Sequence, residues 1–267
     1  MTLAARCARR LPPRMVAATA ARLYPRFEPE LRRLPDFCPR GGTAVDVGGW
    51  YGPWARPLAR RADRVVAVEP VPHLARALAA TAPGNVEVVQ AAAADRSGVA
   101  TLWLPPDGRG DRGVSSLVRR PVHGAALTVP CLALDDLALT GVTLLKVDVD
   151  GGEAAVLRGA RRLLRRERPA LFVELECRIQ PPGPVLALLA EHGYQGWVLP
   201  GGEWVPLAEF DLAAHQARTA HVADHGLLRR SLAPGRPRYV NSVLFLPDTE
   251  RPGEACVRDD GAHELHA

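Results

Sequence analysis

Lysine is almost missing from this chain: of its 34 basic residues, all but Lys146 are arginine. Such a bias has the look of codon pressure in a GC-rich genome. A lysine kept under it suits a place where a compact ammonium fits and a planar guanidinium does not, unless chance put it there. Long apolar runs are missing as well. None nears the roughly 18 residues that span a bilayer, and Arg22 cuts short the apolar segment 15–21, with no cleavage context after it. No membrane association is expected, and a cytoplasmic protein is. The five cysteines (Cys7, Cys38, Cys131, Cys177, Cys256) are odd in number and scattered, without a Cys-x-x-Cys pair. Neither a disulfide framework nor a zinc site is indicated. Aromatic residues make up only 5% and nowhere interleave with a basic patch, so the net charge of +5 does not argue for nucleic acid. Its excess sits in residues 1–40, where nine arginines face Glu28, Glu30 and Asp36. That segment reads as a solvated helix face.

Glycine and acid are present in a telling order. Thr43-Ala-Val-Asp-Val-Gly-Gly-Trp-Tyr-Gly52 runs from apolar residues into Asp46 and the closely spaced Gly48, Gly49 and Gly52. Arg64-Val-Val-Ala-Val-Glu-Pro70 is a second apolar run, ending in Glu69, 23 positions after Asp46. A strand, a glycine-rich turn, a helix and a second parallel strand produce this pattern. The glycines let the backbone approach a ligand, and the second acid can accept both hydroxyl hydrogens of a ribose. The spacing is Gly-Gly-x-x-Gly, not the Gly-x-Gly-x-x-Gly of nicotinamide dinucleotides. Asp46 would repel a diphosphate and suits a cationic ligand such as S-adenosylmethionine, with its sulfonium and ammonium. An NAD(P)-dependent oxidoreductase and a non-catalytic binding module on the same fold are the competing readings.

The rest of the chain alternates in the same way. Strands are expected over 43–48, 64–69, 86–91, 98–104, 142–149, 171–175, 196–199 and 239–246, and helices over 53–62, 71–81, 153–166 and 183–192. This order predicts an α/β protein with a parallel sheet wound on both faces, its last strand entering antiparallel. Residues 1–40 are expected as a helical extension and 41–247 as the main domain, with an insert at 200–238. Residues 105–121 are expected as a mobile loop, and 248–267 as a disordered tail.

With these segments placed, the chain resembles the FkbM family of methyltransferases. The matching pieces are Val45-Asp-Val-Gly-Gly-Trp-Tyr-Gly52, Val68-Glu-Pro70, Leu134-Asp-Asp-Leu137, Leu145-Lys-Val-Asp-Val-Asp-Gly-Gly-Glu153, Val156-Leu-Arg-Gly-Ala160 and Pro169-Ala-Leu-Phe-Val-Glu174. The Lys-x-Asp-x-acid-Gly-x-Glu piece is the specific one. The resemblance implies a Rossmann-like seven-stranded methyltransferase sheet with helices on both faces and a reversed last strand. It implies S-adenosylmethionine as cofactor and methyl transfer, commonly to a hydroxyl of a small natural product or sugar. By resemblance, Asp46, Gly48 and Gly52 line the methionine end beside Gly49, and Glu69 holds the ribose. Asp95 is a candidate for the adenine edge, or equally a turn residue before Ser97-Gly98. The family usually has Asn where Gly49 or Trp50 stands and Glu where Asp150 stands. A histidine often found shortly after the Glu174 position is absent, and Glu176 lies nearby.

Asp148 falls at the carboxyl end of the fourth main strand, where open α/β sheets place their chemistry, and Lys146 and Asp150 share its parity. The cluster can hold a base, orient the acceptor, bind a divalent metal, or simply brace the strand end with ion pairs. The expected catalytic set is Asp148 as base or substrate anchor, with Lys146 and Glu174; Glu153 is a support. No metal ligand set is indicated. His221 and His225 stand four apart, as metal ligands on a helical turn can, but lack the Glu of the usual zinc motif; a solvated helix is the simpler reading. Either of them, or His215, can alternatively serve as base.

Overall fold

The computed structural model describes residues 13–110, 113–223 and 238–254. Residues 1–12 of the expected extension, 224–237 of the expected insert (with His225) and 255–267 of the expected tail lie outside them. The strands are β1 (Thr43–Val47), β2 (Arg64–Val68), β3 (Val86–Val89), β4 (Ala92–Ala93), β5 (Gly98–Leu104), β6 (Ala125–Leu132), β7 (Val142–Val147), β8 (Ala170–Glu174), β9 (Tyr194–Val198), β10 (Val205–Pro206) and β11 (Ser242–Pro247). The helices are α1 (Pro13–Leu23), α2 (Ala55–Leu58), α3 (Pro72–Thr81), α4 (Glu153–Arg158), α5 (Arg161–Glu167), α6 (Gly183–Glu191) and α7 (Leu212–Ala223). None is long and apolar enough to cross a membrane among the described residues.

Eight strands form one sheet in the order β10-β9-β11-β8-β7-β1-β2-β3, and β4-β6-β5 form a smaller one. The run from β3 through β2, β1 and β7 to β8 is parallel. Strand β11 is antiparallel to both β8 and β9, so the reversed last strand lies inside the sheet and not at its edge. Seven strands were expected; the two-residue β10 adds an eighth at the β9 side.

All five residues of β1 are buried, because helices and connecting segments cover both faces, as a parallel sheet requires. Alternation sends Val45, Val47, Leu145 and Val173 into a core under Val156, Leu164 and Leu189. It sends Ala44, Leu144 and Phe172 to the other face, against Phe37, Trp54 and Leu58. Asp46, Lys146 and Glu174 share the parity of that second face. The polar cluster therefore opens on the side covered by the segment ahead of β1. That segment holds α1 and the short 3₁₀ turns Tyr24–Arg26, Pro29–Arg32 and Leu34–Asp36.

Several boundaries differ from the sequence reading, for physical reasons. The helix expected over 53–62 is the single turn α2. The helix expected over 153–166 breaks between α4 and α5 at Gly159, where an added Cβ would lie 2.1 Å from the Ala94 carbonyl oxygen. Asp135 caps the second piece: its Oδ2 accepts from Arg162 N at 2.9 Å and its Oδ1 from Leu163 N at 2.9 Å. The Leu-Asp-Asp-Leu motif is thus a capping element of the fold. Strand β7 stops at Val147, and Asp150 adopts φ +57°, so the strand parity expected to run through Asp150 ends before it. The start of the tail is also placed: Gly253 N donates to the Asp36 carbonyl at 2.8 Å.

Candidate active site

Strand β1 has β2 on one side and β7 on the other, all three parallel, with chain connections leaving in opposite directions. Such a switch point opens a crevice beyond the carboxyl ends of the strands. A cavity of about 950 Å³ lies there. Of the residues expected from sequence, Gly48, Glu69, Lys146, Asp148 and Glu174 line it. Asp46, Gly49, Gly52 and Asp95 do not. Asp95 is exposed beyond β4, beside the turn to Ser97-Gly98, away from the cavity wall.

Lys146 organises the floor. Its Nζ lies 3.4 Å from Asp46 Oδ1 and 3.3 Å from Asp148 Oδ2 and donates to the Gly48 carbonyl at 3.2 Å. A straight stem ending in a point charge can reach three groups at the end of a narrow, buried channel; a guanidinium fork cannot. Burial works against the ammonium, but the charges of Asp148, Asp46 and Glu28 outweigh it and hold the pKa above that of an ordinary lysine. Asp46 is fully buried, which pushes its carboxyl up against the opposing pull of Lys146. Asp46, expected at the methionine end of the donor, lies beneath Lys146 as its counter-ion and is not among the residues that line the cavity.

Asp148 and Glu174 share a hydrogen bond and titrate as a pair. Burial raises Asp148, but Lys146 and the bond from Glu174 bring it below the usual carboxylate range. Burial and the Asp148 charge push Glu174 well above that range. Lys146 thus favours the charged form of Asp148, and the Asp148 charge favours the protonated form of Glu174. Asn241, just before β11, donates its side-chain amide to Glu174 Oε1.

Glu69 closes the other end. Its Oε2 accepts from Trp50 N at 2.9 Å and its Oε1 from Val71 N at 2.8 Å. Burial outweighs both bonds and lifts its pKa to about 7. Val71, Leu74, Ala92 and Leu102 form an apolar wall beside it. Trp50 sits at φ +44°, a left-handed conformation that Asn tolerates far better than Trp, at one of the two positions where the resembling family usually has Asn. Gly48 is at φ +84°, and a Cβ there would lie 1.9 Å from the Asp148 carbonyl oxygen. Its missing side chain serves the approach of β7's end as much as that of any ligand. Cβ atoms on Gly49 and Gly52 would meet Leu78 at 2.9 and 2.6 Å, so these glycines serve helix packing.

The remaining wall comes mostly from residues that sequence reasoning did not select, with Asp150 of the expected cluster and the nearby Glu176 among them. Residues 113–121, expected as part of a mobile loop, border the cavity, anchored by Trp103 N donating to Ser116 O at 2.8 Å and the reverse bond at 3.1 Å. Arg120 Nη2 faces Asp150 Oδ1 at 3.2 Å, and burial raises Asp150 to about 7 against the pull of Arg120. Tyr239 donates to Glu176, which also pairs with Arg178 at 3.1 Å. Tyr24 and Glu28 enter from the N-terminal segment. Glu153 instead closes the turn before α4, accepting from Val149 N at 3.2 Å and Gly151 N at 3.1 Å. His215 bonds the Arg238 carbonyl at 2.9 Å, and His221 is exposed; neither lines the cavity. Among the described residues no group of three or more His, Cys, Asp or Glu is placed to hold a metal ion.

The order β3-β2-β1-β7-β8-β11-β9, with β11 reversed, is a doubly wound α/β sheet. The chain belongs to the methyltransferase FkbM family, whose domain profile matches residues 43–195, more than half of its length. A crystal structure of methyltransferase FkbM from Methylobacillus flagellatus is similar, with 16% identity and a TM-score of 0.44, over 77% of this chain and 43% of that one. The chain thus spans less than half the length of that relative. The crystal structure of precorrin-8w decarboxylase from Methanobacterium thermoautotrophicum matches with 13% identity and a TM-score of 0.43, over 82% and 89% of the two chains. No curated protein matches the chain.

Proposed function

We propose that the protein transfers the methyl group of S-adenosylmethionine to a hydroxyl oxygen of a small natural product or sugar. The observation that carries this reading is the meeting of Glu69, Lys146 and the Asp148–Glu174 pair in one cavity at the strand ends. The residues fit the donor. Each Glu69 oxygen accepts one amide and keeps a lone pair for a ribose hydroxyl. The apolar wall of Val71, Leu74, Ala92 and Leu102 offers contact area to a purine. When bound, S-adenosylmethionine supplies a methyl carbon activated by its sulfonium.

The chain's own residues supply alignment and proton acceptance. Asp148, held ionised beside Lys146, is the group to take the acceptor's hydroxyl proton, a role commonly contributing about 10² to 10⁴ in rate. Glu174, pushed toward its protonated form by burial and the Asp148 charge, hydrogen-bonds Asp148 and fixes its orientation. Orientation of nucleophile and methyl carbon in line supplies several kcal/mol more, as an order of magnitude. Isothermal titration with S-adenosylhomocysteine is the direct test, and folded protein that shows no binding would remove the proposal. Mass spectrometry of metabolites from strains with and without the gene then names the acceptor through a product heavier by one methylene.

A further inference from the structure

Six carboxylates line the cavity, and four of them are accounted for. Asp148 is paired with Lys146, Asp150 with Arg120 and Glu176 with Arg178, while Glu174 is held by hydrogen bonds to Asp148 and Asn241. Glu69 and Glu28 are left with no ion pair among the described residues. Glu69 faces the apolar wall, where a ribose suits it. Glu28 stands elsewhere: its Oε2 accepts from the indole Nε1 of Trp54, two residues beyond the glycine turn. It lines the cavity together with Gly48, Lys146 and Asp148, at the ends of β1 and β7.

We infer that Glu28, supplied by the segment ahead of β1, receives the ammonium at the amino-acid end of the methyl donor. This rests on the methyltransferase reading above. A donor with its ribose on Glu69 and its purine along the apolar wall extends its amino-acid end toward Gly48 and the mouth of β1 and β7. Of the other acceptors there, the Gly48 carbonyl accepts from Lys146, Asp148 pairs with Lys146, and Glu174 is bonded by Asn241. Glu28 carries the Trp54 bond and no ion pair among the described residues, and a charge-assisted bond from the ammonium supplies one. Glu28 precedes residue 43, where the family profile begins, so this contact belongs to the chain's own N-terminal segment.

The test compares two probes by isothermal titration with the full-length protein: S-adenosylhomocysteine, which carries the ammonium, and 5′-methylthioadenosine, which lacks the whole amino-acid end. In Glu28→Gln, which keeps an oxygen for Trp54, S-adenosylhomocysteine should weaken about tenfold or more while 5′-methylthioadenosine stays within about twofold. Glu28→Asp, which restores the charge on a shorter stem, should fall between wild type and Glu28→Gln for the first probe. Should Glu28→Gln fail to fold, Glu28→Asp must still weaken the first probe more than the second. Equal effects on both probes, or none, overturn the inference while leaving the methyltransferase reading in place. A wild type that binds neither probe removes that reading, and the inference with it.

Discussion

The ammonium of Lys146 lies 3.4 Å from the carboxylate of Asp46, and both groups are buried. Removing the ammonium strands the Asp46 carboxylate away from water. Lys146→Met should therefore cost about 3–5 kcal/mol of unfolding free energy, and Asp46→Asn less, because Lys146 keeps Asp148 at 3.3 Å. The double variant Lys146→Met, Asp46→Leu should cost less than the sum of the singles, because the Lys146–Asp46 pairing is lost only once. Urea denaturation of the four proteins measures this. Strict additivity would show that the pair is not coupled.

Asp148→Asn keeps the shape of the side chain and removes the proton acceptor. Methyl transfer to the acceptor should fall by about 10² or more, while the affinity for S-adenosylhomocysteine changes little. A variant that binds the product normally and turns over at the wild-type rate would exclude Asp148 as the base.

Glu69 has its folded-state pKa at about 7, against an ordinary value of 4.5. Over that interval the folded protein holds a proton that the unfolded chain has released. The contribution to stability therefore falls as pH rises from about 4.5 to about 7. Glu28, raised to about 8, acts in the same direction over a wider window. Glu69→Gln should gain on wild type by on the order of 1–2 kcal/mol between pH 5 and pH 8. Thermal melts of the ligand-free proteins at the two pH values test it, and a constant difference between them would contradict the buried-charge account.

Gly48→Ala meets two penalties at once: a positive φ and a carbonyl oxygen 1.9 Å from the new Cβ. It should destabilise by about 3 kcal/mol or more. Gly108→Ala, also at positive φ but with nothing within 4 Å, should cost only about 1 kcal/mol. Equal melting temperatures for the two variants would refute the steric argument.

Much of the sheet was legible because parallel strands buried on both faces read as mostly apolar runs, as in residues 65–68 and 142–147. The grouping of Lys146 on β7, Asp148 just past its end and Glu174 on β8 was legible for a related reason: strand alternation fixes which neighbours share a face, and acids at strand ends stand out. The direction of Asp46 was not, because its partner lies 100 positions away on the adjacent strand, where Asp46 pairs in register with Lys146. Tyr239 and Asn241 open the strand expected over 239–246 and Glu28 lies in the segment ahead of β1, and nothing local in either marks them as lining a cavity. Only the fold brings them to the cavity. The break at Gly159 depends on a contact with Ala94, which no helical periodicity can reveal.

Strand β11 fills the gap between β8 and β9 and carries Asn241 in beside Glu174. Translation delivers β8 and β9 to the ribosome's exit before β11, so both emerge with an edge that only β11 can pair. Closure of the sheet therefore waits for a strand made after both of its neighbours. A chain that stops ahead of β11 leaves two open edges, which are templates for pairing with other chains.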